Sequence, residues 1–137
     1  MSVRHYKELR VYGGCVELRR AVFDLSRGWP KEERYALTDQ VRRSSRSIGS
    51  NIAEAWAKLR YDRHFVSKLT DSLGEAEETV VWLDVAEECG YLDAVLHQEL
   101  VELCNRICGG LIRMMHVPEK WCAATTVRED LATYDPD

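Results

Sequence analysis

Between Leu37 and Leu59 the chain reads as one helix with two faces that both avoid water. Leu37, Val41, Ser44, Ile48, Ile52, Ala55 and Leu59 recur at helical spacing and form an ordinary core stripe. The far side carries Gly49, Ala53 and Ala57 at four-residue intervals, with Ser50 among them. A solvated face favours Lys, Glu and Gln, which hydrate well and support helix. Small residues at i, i+4 and i+8 instead let a second helix backbone close in. A helix buried twice in a chain of 137 residues predicts a neighbour from another copy, and with it an assembling helical bundle.

The rest of the chain supplies three more helices. The first is expected from about Leu9 to Arg27, with Val11, Cys15, Leu18, Val22 and Leu25 inward and Gly28-Trp29-Pro30 ending it. Gly13-Gly14 near its start costs roughly 1 kcal/mol per glycine relative to alanine. Arg60-Tyr61-Asp62 reads as a break, with Asp62 capping a third helix that runs to about Cys89. Phe65, Leu69, Leu73, Ala76, Val80 and Leu83 would face its core, while Val81, Trp82, Val85 and Cys89 make a second apolar stripe pointing away. Gly90 stops that helix, and Asp93 caps a fourth that continues to about Met115, with Leu96, Leu100, Leu103, Ile107, Leu111 and Met114 inward. Pro118 closes the bundle, giving an expected domain over residues 1–118 and a tail, loosely docked or disordered, over 119–137.

Composition narrows the class further. With 3 Pro and 8 Gly the chain lacks the turns that an all-β architecture needs, and no apolar run approaches a membrane span. The first residues do not read as a signal peptide, and five cysteines without a disulfide spacing suit a reducing cytoplasm. The net charge of −4 conceals a division, because residues 1–70 hold 15 Lys and Arg against 8 Asp and Glu, and the remainder holds 4 against 15. Opposite-charge helices pack well inside a bundle and between subunits. The basic half is also what a phosphate backbone would contact, although an overall pI near 5.6 is far from the usual basic signature.

The segment Ser47-Ile48-Gly49-Ser50-Asn51-Ile52-Ala53-Glu54-Ala55 resembles the signature of the four-helix-bundle proteins encoded by intervening sequences in bacterial large-subunit ribosomal RNA genes. Leu37-Thr38, Gln40, Arg42-Arg43-Ser44, Leu73-Gly74-Glu75-Ala76 and Gly90-Tyr91-Leu92 fit as well, so the resemblance covers roughly residues 7 to 116. Ala55 stands where that family usually has glycine, and Gly13-Gly14 is a departure too. The resemblance implies an all-α, up-down-up-down bundle assembling as a ring-shaped homopentamer. It also implies kinship with the accessory proteins of diversity-generating retroelements, which associate with a reverse transcriptase and its nucleic acid.

The polar signature residues Ser47, Ser50, Asn51 and Glu54 have two readings. They fix register by hydrogen bonding across helices or subunits, or they line a groove beside Arg42, Arg43 and Arg46, where Arg42 and Arg46 at i, i+4 could grip phosphates together. No phosphate loop, nucleophile elbow, His-Glu-x-x-His or Glu-x-x-His appears, which predicts no enzyme and no cofactor. Cys104 and Cys108 lie one turn apart with His97 two turns earlier, but cysteine at such positions mostly behaves as a small buried hydrophobe, so no metal is expected. Two functions remain. One is an oligomeric, cytoplasmic accessory protein that holds RNA or DNA on a rim of Arg42, Arg43, Arg46, Lys58, Arg60 and Arg63. The other is an oligomeric protein scaffold that never touches nucleic acid. In either, the subunit contact is expected where the side of Gly49, Ala53 and Ala57 meets Trp82, Val85 and Cys89 of a neighbour.

Overall fold

The computed structural model describes residues 3–122, and every regular element among them is helical. The long helices are α1 (Arg10–Ser26), α2 (Asp39–Ala57), α3 (Asp62–Glu88) and α4 (Ala94–His116), followed by a short α5 (Pro118–Cys122). Each of the four packs on the next, and α4 returns to α1. Their directions follow from the residues that meet. Arg42 reaches Ser26 while Gly49 faces Cys15 and Tyr12, so α2 runs against α1. Ser44 meets Thr79 while Ser72 meets Ile48, so α3 runs against α2. Asp84 pairs with His97 and Thr70 with Met115, and Gly14 lies on Ile107 while Gly110 lies on Val11. Every neighbouring pair is therefore antiparallel, as short connections demand.

Local chemistry sets the helix ends. Asp93 caps α4 through a hydrogen bond from the Leu96 amide at 2.8 Å. Gly90 ends α3 at φ +79°, a left-handed turn in which the Tyr91 amide reaches back to the Ala86 carbonyl. The expected cap at Asp62 moves by one position: Tyr61 is the capping residue and Asp62 the first helical one, where its charge favours the helix N-terminus. A 3-10 turn (Lys31–Glu33) and a π-helical turn (Arg34–Thr38) lead into α2. Of the expected tail, residues up to 122 belong to α5, where Trp121 meets Trp56 edge-on at 6.4 Å. The remainder, 123–137, lies outside the described residues.

The tightest seam joins α2 to α3, and small polar side chains make it so. Ser44, Ser72 and Thr79 are all buried there. Ser44 and Thr79 share a hydrogen bond of 2.8 Å, and Ser72 donates to the Ile48 carbonyl at 2.7 Å. Each hydroxyl is thereby satisfied, which burial requires. This corrects the reading of α3, where Leu73 and Val80 were expected inward. Both are only partly buried, while Ser72 and Thr79 occupy the seam. Two helices this close leave room for a hydroxyl where a leucine would hold them apart. Leu25 and Leu96 are likewise only partly buried, and Ser26 takes the inward place beside Leu25.

Three cysteines belong to this core. Burial pushes the Cys15 and Cys104 thiols up to about 12 and the Cys108 thiol to about 11, from an ordinary value of 9.0. The folded state thus keeps protons that the unfolded chain has lost above pH 9. Stability should be unaffected by these groups below that value and fall as pH rises above it. The slope is roughly 1 kcal/mol per pH unit for each thiol. Urea unfolding at pH 8 and pH 10 measures the difference, and equal midpoints would show that the thiols are not held protonated. In the same fold a thiol reagent should reach Cys15, Cys104 and Cys108 only after denaturation.

Candidate nucleic-acid interface

Phe23 sits on α1 with Arg19 and Arg20 one turn before it and Arg27 one turn after, so all four share a face. Because α2 runs antiparallel, it brings Arg42 and Arg46 to the same place. Phe23 remains 38% exposed. The guanidinium carbons of Arg42, Arg27 and Arg46 lie 4.7, 5.7 and 5.8 Å from its ring centroid. These are cation–π distances. Arg42 is fixed there by donating from Nε to the buried Ser26 hydroxyl at 2.8 Å, and Ser26 in turn donates to the Phe23 carbonyl at 3.2 Å. Arg19 is held differently, with its guanidinium 5.7 Å over the Tyr12 ring and a hydrogen bond of 3.3 Å to the Tyr12 hydroxyl.

Gly49 makes that arrangement possible. A Cβ added there would lie 3.2 Å from Tyr12 Cε1, 3.5 Å from an Arg19 guanidinium nitrogen and 3.7 Å from Cys15 Cβ. The close approach expected of Gly49 therefore takes place with α1 of its own chain, not with another copy. That is a correction to the interface set, and its reason is that Tyr12 and Arg19 need the space. Farther along α2, Ala53 is half-buried and Ala57 exposed. On α3, Trp82 and Val85 are half-buried and packed at the edge of the core, Cys89 is exposed, and Val81 beside them is 53% exposed.

Arg19, Arg20, Phe23, Asp24 and Arg46 line a cavity of 660 Å³ on this face. None of Arg19, Arg20, Arg27, Arg42 and Arg46 is ion-paired with a carboxylate among the described residues. At the same end of the bundle Arg34 stacks on the exposed Tyr35 at 5.5 Å. The other expected cations behave otherwise. Arg43 is neutralised within the chain, bonding Glu75 at 3.1 Å and also Glu78, which accepts from Trp82 Nε1 at 3.2 Å. Lys58, Arg60 and Arg63 are exposed but lie around the α2–α3 turn. From Arg42 to Lys58 the helix rises about 24 Å, so the expected single rim is two separate clusters.

The signature residues divide too. Glu54 pairs with Lys68 of α3 at 2.6 Å, a structural tie across the seam. Ser47 and Ser50 bond back to the carbonyls of Arg43 and Ser47 in their own helix. Asn51 is half-buried and has no side-chain hydrogen bond to any described residue. His97 lies 2.7 Å from both Asp84 and Glu87, away from the buried Cys104 and Cys108. Among the described residues no three His, Cys, Asp or Glu side chains converge as a metal site requires, and no helix is long and apolar enough to cross a membrane.

A second concavity, of 810 Å³, runs between α1 and α4 over Gly13, Gly14, Gly109 and Gly110, with Arg10 and Arg113 at its edge. Gly14 and Gly110 are needed there, since a Cβ would press on Ile107 at 3.1 Å and Val11 at 3.2 Å, but Gly13 faces open space.

Comparison with known proteins adds the lineage. The model of the 23S rRNA-intervening sequence protein family matches residues 7–113. Among solved structures, the chain is similar to a protein of unknown function from the S23 ribosomal protein family of Bacteroides thetaiotaomicron. The two share 26% identity and a TM-score of 0.69, over 77% of this chain and 97% of that one. No curated protein matches.

Proposed function

The chain belongs to the 23S rRNA-intervening sequence protein family, and on that footing we propose that it is a non-enzymatic, oligomeric accessory protein that holds RNA or DNA on the face around Phe23. The observation that carries this reading is the convergence of Arg27, Arg42 and Arg46 on one exposed aromatic ring, with Arg19 and Arg20 lining the same cavity and none of the five having a carboxylate partner among the described residues. Like charges crowd together at a cost unless an anion is to be met there, and arginines interleaved with aromatics suit phosphates and bases together. The test is fluorescence anisotropy with labelled RNA and DNA at low salt. Binding without sequence preference is expected, and no change in anisotropy with either nucleic acid removes the reading.

Self-assembly completes the proposal. The resemblance implies a homopentameric ring, with a reverse transcriptase as the further protein partner and the cytoplasm as the site of action. With Gly49 engaged inside the chain, the contact falls to Ala53 and Ala57 of one subunit against Val81, Trp82, Val85 and Cys89 of the next. Two different patches joined head to tail close into a ring when the rotation divides a full turn. Ala53→Arg should then convert the oligomer to folded monomers in light scattering. A parent that is monomeric at micromolar concentration, or a variant that keeps the full mass, rules out this contact. The second reading, a protein scaffold, is favoured by the open space at Gly13 in the groove between α1 and α4.

A further inference from the structure

We infer that the face around Phe23 takes single-stranded nucleic acid and places an unstacked base against the Phe23 ring; this rests on the nucleic-acid reading above. A duplex keeps the faces of its bases stacked inside, so it offers an aromatic ring no base surface to stack on. Phosphates alone would use the arginines and not the exposed part of the phenyl ring that gathers them. Single strands offer both groups, and base–aromatic stacking accepts any base because each has a π-face.

Three features of the site match a nucleotide with its base splayed out. The ring is 38% exposed and forms part of a concave wall, in a cavity of 660 Å³. That volume suits a small molecular group. The guanidinium groups of Arg27, Arg42 and Arg46 flank the ring, and their planes offer further stacking surface as well as charge. Asp24 lines the same cavity among Arg19, Arg20 and Arg46. A carboxylate there repels phosphate, so a site for bare phosphates would not keep it. It does accept hydrogen bonds from the amino groups on base edges, which an RNA duplex keeps in a deep, narrow groove and an unpaired strand presents freely. Arg42, anchored on Ser26, stays beside the ring as the base arrives.

The experiment compares one labelled mixed-sequence RNA, single-stranded or annealed to its complement, with the full chain at low salt. The parent should bind the single strand more tightly than the duplex. Phe23→Ala should weaken single-strand binding about 5- to 150-fold, the worth of one stacked base, and weaken duplex binding by a clearly smaller factor. Phe23→Tyr, which keeps the ring, should bind as the parent does. Equal affinity for both forms, or a Phe23→Ala variant that binds the single strand like the parent, overturns the inference while leaving the nucleic-acid reading in place. Binding of neither form overturns both. Circular dichroism on each variant establishes that the helices persist.

Discussion

Changing Arg19, Arg42 and Arg46 together to glutamate is expected to reduce nucleic-acid affinity by about a hundredfold, because three lost phosphate contacts are worth roughly 20-fold over a salt range of 50 to 200 mM and charge reversal adds repulsion to that loss. The three come from two helices but converge on the Tyr12–Phe23 face, and none has a carboxylate partner among the described residues. Reversing them replaces attraction by repulsion at the place where a phosphate would sit. Changing Lys58 and Arg63 in the same way should cost far less, since they lie around the α2–α3 turn, with Lys58 about 18 Å along α2 even from Arg46. Arg43→Glu has a different expected outcome. It sets a carboxylate against Glu75 and Glu78, so its loss should appear in thermal unfolding before it appears in binding. Anisotropy and circular dichroism on the three proteins separate these effects. An Arg19/Arg42/Arg46 variant that binds like the parent would falsify the assignment of the face.

Ser72→Leu is expected to destabilise the fold by about 1–3 kcal/mol or more, although it replaces a polar residue by an apolar one inside a core. Ser72 is fully buried where α2 and α3 lie closest, and its hydroxyl bonds the Ile48 carbonyl. A leucine there must force the helices apart, disturbing the Ser44–Thr79 hydrogen bond one to two turns away. The adjacent Leu73→Ala should cost less than the roughly 2 kcal/mol at which truncation of fully buried leucines begins, because Leu73 is only partly buried. Urea unfolding of the two variants gives the order directly. Should Ser72→Leu prove the more stable of the pair, the description of the seam is wrong.

That inversion shows where the sequence could be read and where it could not. The long helices were legible because their stripes repeat at helical spacing, and because Asp93 and Gly90 are strong local signals. On α3 hydrophobicity misled, since Leu73 and Val80 are more apolar than Ser72 and Thr79. The width of the seam, which selects the small residues, depends on α2 and is invisible in α3 alone. Gly49 was rightly seen as a point of close approach, but the pattern of small residues carries no information on which helix arrives. Here it is α1, bringing Tyr12 and Arg19.

The candidate site was half legible. Arg42 and Arg46 stood out by their spacing, yet Arg19, Arg20, Phe23 and Arg27 form the same kind of pattern on α1 and were not singled out. The basic half of the chain offers many cations, and only the fold separates those that are neutralised from those that are not. Arg43 is paired with Glu75 and Glu78 from the acidic half, and Lys68 with Glu54 and Asp71. The arginines around Phe23 have no such partners among the described residues. An exposed phenylalanine at i+3 and i+4 from two arginines, with a third at i+4 beyond it, was the available signal.

The most direct test of the central claim, that these arginines meet phosphates, is the salt dependence of binding to a single-stranded RNA. Five arginines each releasing a counterion predict a slope of log affinity against log salt of about −3.5, so affinity should fall about a hundredfold between 50 and 200 mM. Arg42→Gln should bring that slope closer to zero by about 0.7. An affinity that is unchanged across this salt range, or a slope that Arg42→Gln leaves unaltered, would contradict the account.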